Sequence, residues 1–431
     1  MFQKSNGEKG CHRYIISNNY SSVNIIEVFT MIRLTLGNNF NVDIVPLFES
    51  ISDLENASII MDKIYSNKPY INHLKRRGDI QNIMLGFSDG TKDGGYLTAN
   101  WSILKAKESL TKVSRKYGIK VVFFDGRGGP PARGGGNTHQ FYSSLGDFIE
   151  SDEIQLTVQG QTISSNFGTI KSSQYNMEQL ISSGIKNRIL SNPEVFNKRN
   201  RKTIEKLSSI SYNSYKEFKS HPSFIPYLQK MSTIKYYSKT NIGSRPSKRG
   251  NKSEEFNFNK LRAIPFVGSW NQLKQNVPGF YGLGTSINYF YKKNKIKDVR
   301  LLYQEVPFFR ALISNSMMSL TKSFFELTSY MSKDEEFGEF WKIIHDEYQL
   351  TKKMLLKISN FKELMENEPA NKLSITTREN IVMPLITIQQ YAIQIVKEIE
   401  SGRNNDIDKS VYEKIITRSL YGNINASRNS A

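Results

Sequence analysis

The constraint that weighs most on this chain is a set of short apolar runs, most of them stopping at an acid and set apart by stretches of helical spacing. "VDIVPLF" (42–48) runs into Glu49, "NIMLGFS" (82–88) into Asp89 and "KVVFF" (120–124) into Asp125. A helical stretch from Ile51 to Tyr65 separates the first two. Tyr96, Ala99, Ile103, Ala106, Leu110, Val113 and Tyr117 then step by three and four, which is one helix face, and Gly118 ends it. "IQLTV" (154–158) reads as a further strand. Strands separated by helices form parallel βαβ units, and such folds present ligands to the carboxyl ends of their strands.

Glu49 and Asp89 therefore fall where a ligand would sit. Two carboxylates with no cysteine beside them suit a hard divalent ion, Mg²⁺ or Mn²⁺. Strand-end acids also cap the next helix, and spacing alone leaves both readings open. Lys92, three residues past Asp89, is within range of an anion held there. After Asp125 come six glycines between Gly126 and Gly136, with Arg127 and Arg133 among them. Glycine lets backbone amides approach a ligand, and guanidinium forks match phosphate or carboxylate. We expect an anion seat built from those amides, the two arginines and the start of a helix near Thr138. The spacing does not fit GxxxxGK[ST], which excludes a P-loop.

The second half reads as helical. Phe337, Trp341, Ile344, Tyr348, Thr351, Leu355 and Ile358 form one stripe, and further helices are expected near 176–190, 201–218, 307–330, 376–400 and 408–420. Between the halves, 235–262 holds eight basic and two acidic residues and reads as a long mobile basic loop carrying Arg245 and Arg262. The expected division is 1–235, 236–262 and 263–431. Lys and Arg number 59 against 40 acids, a formal charge of +19, so anionic partners are favoured. The single Cys11 excludes an internal disulfide and a multi-cysteine metal site, and points weakly to a reducing, cytoplasmic compartment. No run of 18 apolar residues exists, and the N-terminus reads as neither signal nor transit peptide. The five histidines show no metal-binding pairing.

Taken in order, "PLFES" (46–50), "GFSDGTKDGG" (86–95), "FFDGRGGPPARGGG" (123–136), "TVQGQTISSNFG" (157–168), "GSRPSKR" (243–249), "LRAIPFVGSWNQ" (261–272) and the terminal "RNSA" resemble the phosphoenolpyruvate carboxylase family. The resemblance covers nearly all 431 residues and corresponds to the C-terminal half of the family's usual protein. It implies part of a (β/α)8 TIM-type barrel embedded in many helices, an α/β plus α fold. It implies a lyase that joins bicarbonate to phosphoenolpyruvate, giving oxaloacetate and phosphate with Mg²⁺ or Mn²⁺. Glu49 and Asp89 match the metal-binding acids. Among the catalytic residues, Arg127 matches the arginine next to the transferring phosphoryl group, Arg245 and Arg262 match cations that hold phosphate and carboxylate, and Lys92 matches a lysine in the same pocket. Arg133, Lys322, Arg378 and Asn429 match the site for an inhibitory dicarboxylate, aspartate or malate. The family is usually a cytoplasmic homotetramer feeding the tricarboxylic acid cycle.

Departures carry expectations too. Asp125 stands where many members have histidine, which removes an imidazole's acid–base role from that position. The family's catalytic histidine and another active-site arginine belong to the half not matched here, so the chain alone is expected to be inactive unless a separate polypeptide completes it. The competing readings are a basic nucleic-acid-binding protein, which the charge and 22 tyrosines permit without any recognisable motif, and a non-catalytic relative, against which the intact Glu49, Asp89, Arg127, Arg245 and Arg262 argue.

Overall fold

The computed structural model describes residues 2–189, 196–239, 257–403 and 407–427. The first part contains α1 (Phe2–Asn6), β1 (Arg13–Ile16), α2 (Ser22–Leu36), β2 (Asp43–Phe48), α3 (Ile51–Tyr65), α4 (Lys68–Arg76) and β3 (Ile80–Gly86). It continues with α5 (Phe87–Gly94), α6 (Tyr96–Lys116), β4 (Lys120–Gly126), α7 (Thr138–Tyr142) and β5 (Ile154–Leu156). Helices alone follow: α8 (Gln161–Phe167), α9 (Ile170–Ile189), α10 (Lys198–Ser220), α11 (Phe224–Met231), α12 (Ala263–Gln272) and α13 (Leu283–Lys292). The last are α14 (Ile296–Glu305), α15 (Pro307–Thr321), α16 (Gly338–Ser359), α17 (Pro369–Glu400) and α18 (Lys409–Ser427).

The five strands lie in sequence order, β1-β2-β3-β4-β5, and every neighbouring pair is parallel. Sequential parallel strands need a crossover each, and the helices between them supply it. The register matches Phe48 with Leu85, Gly86 with Gly126, and Asp125 with Leu156, so four strand ends share one edge. Among the described residues no pairing joins β5 back to β1. The chain is mostly helical with a small parallel sheet, as the α/β plus α expectation required.

Several boundaries differ from the sequence expectation. The run 82–88 was expected to be a strand to its end, but β3 stops at Gly86 and Phe87 opens α5, so Asp89 lies in a helix's first turn. The expected 154–158 strand is three residues long. The helix expected over 307–330 ends at Thr321, and Phe325–Lys333 forms a 3-10 stretch instead. β1 and α2 were not foreseen.

One apolar cluster joins both halves of the chain, from Ile16 and Phe48 through Trp101 to Phe308 and Ile375. A second, aromatic cluster binds α10, α11, α12 and α16. In it Phe218 stacks on Phe340 at 5.2 Å, and Tyr227 on Trp270 at 6.1 Å. Burial of this kind contributes roughly 1.5–3 kcal/mol for each large side chain. It fixes α12 against α5 and, with it, Arg262 at the start of α12. Among the described residues no helix is long and apolar enough to cross a membrane.

Candidate active site at the carboxyl ends of the strands

Glu49 follows β2 directly, and the turn behind it is locked. Ser50 caps α3, its hydroxyl accepting from the Asp53 amide at 3.1 Å while the Asp53 carboxylate accepts from the Ser50 amide at 3.0 Å. Asp93 accepts from the Ile51 amide at 3.1 Å, tying the end of α5 to the start of α3. A methyl group at Gly86 would stand 2.9 Å from the Glu49 Cγ, and one at Gly90 3.2 Å from the Glu49 carbonyl. Bare backbone on both sides of Asp89 is what lets the two acids approach.

Glu49, Asp89 and Lys92 line one cavity of about 200 Å³, with Asn18, Tyr20, Lys219 and Phe258 on its walls. Asp53 and Asp93 also line it, but both hold backbone amides. The Lys92 ammonium donates to the Leu261 carbonyl at 2.6 Å and sits 4.6 Å from the centre of the Phe258 ring. That bond sets the backbone just before Arg262 beside the cavity. Lys219 donates to the Lys92 carbonyl at 3.3 Å and to the Asp93 carbonyl, closing the C-terminal end of α5. Burial lowers its pKa, with Asp93 opposing. Lys219 was not foreseen; a lysine at the end of a polar helix carries no signal in sequence.

The glycine loop departs from expectation. Several of its amides, expected to face a ligand, close the loop on itself. Gly128 donates to the Arg133 carbonyl at 2.7 Å, Gly135 to Pro130 at 3.0 Å and Gly136 to Gly129 at 3.3 Å. A Cβ at Gly135 would lie 1.9 Å from the Gly129 carbonyl oxygen, so glycine serves close chain crossing there. The helix expected near Thr138 has five residues, and the amide before it is taken by the Asn315 side chain at 3.3 Å. Of the groups expected to form an anion seat, the arginine side chains are the ones these main-chain bonds do not occupy.

Arg127 and Arg133 are each 3 % exposed. The Arg127 guanidinium rests among Phe141, Tyr142 and Phe87, at 4.8, 5.2 and 5.7 Å from their ring centres. Its Nε donates to the Gly134 carbonyl, while its two terminal nitrogens find no well-formed acceptor. Arg127 is not on the wall of the acid-lined cavity. Arg133, matched in sequence to the inhibitor site, turns its Nε to the Ser88 hydroxyl at 3.2 Å. Burial pushes its pKa down to about 10, and the nearby Asp89 carboxylate pulls it back.

The other residues matched to the inhibitor site divide. Lys322 lines a small cleft with Pro130, Pro131 and Ala132 of the glycine loop. Its pKa is pushed down to about 8 by burial, with Glu379 opposing and Lys274 and Arg378 adding repulsion. Arg378 is exposed on α17. Glu379, unforeseen, forms an ion pair with the fully buried Lys274. Arg245 and Asn429 lie outside the described residues.

Among the described residues no group of three or more His, Cys, Asp or Glu side chains could hold a metal. Two carboxylates on one cavity fit a lesser demand, since Mg²⁺ is commonly held by one or two carboxylates plus substrate oxygens and water. Parallel strands that end at an acid-lined cavity, with helices between and after them, define a protein of the α/β plus α class. The sequence model of the phosphoenolpyruvate carboxylase family matches residues 1–426. The chain belongs to that family, whose carboxy-lyases fix carbon on phosphoenolpyruvate.

Proposed function

We propose that this chain, as the C-terminal portion of such an enzyme, serves the carboxylation of phosphoenolpyruvate with bicarbonate to oxaloacetate and phosphate, a separate N-terminal polypeptide completing the site. The observation that carries the reading is the meeting of Glu49, Asp89 and Lys92 on one cavity at the strand ends of a chain of this family. Glu49 and Asp89 would hold Mg²⁺ or Mn²⁺, which when bound draws charge from the substrate's oxygens. Lys92, Arg127, Arg245 and Arg262 supply positive charge to the phosphate and the carboxylate. Bicarbonate oxygen attacks phosphorus and the enolate leaves, so carboxyphosphate forms. Carboxyphosphate then yields CO₂ and phosphate, and the enolate carbon takes up the CO₂. The role of this chain's residues is to orient the phosphate for attack and to oppose the charge left on the enolate.

In this reading the five parallel strands are an arc of a (β/α)8 barrel in a 1–235 unit, with the basic segment 236–262 and the helical remainder completing the site. Arg133, Lys322, Arg378 and Asn429 serve an inhibitory dicarboxylate. The full-length enzyme works in the cytoplasm as a homotetramer.

The test follows oxaloacetate and phosphate release with Mg²⁺ or Mn²⁺, together with Mn²⁺ binding by electron paramagnetic resonance. Glu49→Gln and Asp89→Asn are expected to abolish Mn²⁺ binding. Variants that bind Mn²⁺ as the parent chain does would sink the assignment of the acids.

A further inference from the structure

The proposed chemistry uses Arg127 but not the groups packed beneath it. Asp125 is wholly buried on β4. Its Oδ2 accepts from Lys107 of α6 at 2.8 Å and from the Tyr142 hydroxyl of α7 at 2.6 Å. Lys107 is 2 % exposed and Tyr142 1 %. The Asp125 carbonyl accepts from the Arg127 amide at 2.9 Å. The Tyr142 ring faces the Lys107 ammonium at 5.7 Å and the Arg127 guanidinium at 5.2 Å.

A lone carboxylate in this position would be driven to take up a proton, and a lone ammonium to lose one. Together they are neutral, so the pair adds nothing to the charge that Arg127 offers an anion. Buried ion pairs also contribute little net stability compared with apolar residues of equal size. What the pair does supply is a fixed acceptor for the Tyr142 hydroxyl, and the Tyr142 ring is one wall of the cage that holds Arg127. We propose that Lys107 and Asp125 act as one positioning unit for Arg127, pinning Tyr142 so that the guanidinium is held ready for a phosphate group. The inference rests on the reading of Arg127 as facing the phosphate. It also accounts for a carboxylate at a position where an imidazole was expected, since Lys107 neutralises it.

The test is calorimetric titration of phosphoenolpyruvate with Mn²⁺ into the full chain and into Tyr142→Phe, Lys107→Met/Asp125→Leu and the triple variant. Tyr142→Phe is expected to weaken binding about tenfold with its melting temperature little changed. The double variant is expected to lose as much, and the triple no more than the double, because the three act together. Tyr142→Phe removes one oxygen and carries the test alone should the double variant fail to fold. Binding within twofold of the parent in Tyr142→Phe, or losses that multiply in the triple, would overturn the proposal. No binding by the parent chain overturns the functional reading, and this inference with it.

Discussion

Two buried lysine–carboxylate pairs in this chain look alike and differ in one respect. Lys107–Asp125 is sealed, at 2 % and 0 % side-chain exposure. Lys274–Glu379 has an equally buried lysine, but its glutamate side chain is 17 % exposed and has Lys322 within electrostatic range. A sealed pair can only hold geometry. A pair whose acid is partly exposed can be exchanged: in the proposed inhibitor site a dissolved carboxylate meeting Lys322 would compete with the chain's own. The first lies beneath the proposed catalytic arginine, the second beneath the proposed inhibitor site.

Breaking each pair from the lysine side tests this most strongly. Lys107→Met leaves Asp125 with no counter-charge and no water, and is expected to destabilise the fold by about 3–5 kcal/mol. Lys274→Met leaves the Glu379 charge on a side chain that is partly exposed rather than sealed, with an expected loss of about 1–3 kcal/mol. Urea denaturation of both variants checks the order; equal losses would erase the distinction.

Removing the charge on Glu379 should sharpen it. With Glu379→Gln, aspartate no longer competes with an internal carboxylate, and its affinity is expected to rise about tenfold by calorimetry. An unchanged affinity would mean that Glu379 does not occupy the inhibitor's place.

A smaller effect comes with pH. Burial sets the Lys322 pKa near 8, below its unfolded value, so the unfolded chain binds more protons from about pH 8 to about pH 10.4. The stability contribution of Lys322 therefore rises with pH across that window. In the proposed inhibitor site aspartate would need the ammonium, so its affinity should fall severalfold from pH 7 to pH 9. Affinity that holds constant over that range would remove Lys322 from the site. The smallest effect belongs to the surface pair Arg115–Glu150, where Glu150→Gln should change stability by under about 0.5 kcal/mol.

How much of this was legible in sequence depends on what each residue contacts. α3 matches the expected 51–65 stretch end to end, and the structure shows why it starts there: Ser50 and Asp53 cap it. The stripe of α6 was read correctly, yet Lys107 was passed over although it lies four residues after Ile103 and three before Leu110, on the buried face. A lysine reads as solvent-facing until its partner is known, and Asp125 is 18 residues away on another element. β1 was missed because three of its four residues are exposed. That Glu49, Asp89 and Lys92 line one cavity could be anticipated from their positions after strands. The direction of Arg133 could not, because it depends on how the glycine loop folds back.

That folding back has a consequence for how the molecule can change over time. Arg127 and Arg133 ride on a single knot of main chain, cinched where residues 129 and 135 nearly touch. Any side chain grafted at the crossing must pry the knot apart and carry both guanidinium groups off together. A mutation there cannot adjust one arginine and spare its neighbour, so the two stand or fall as a linked inheritance.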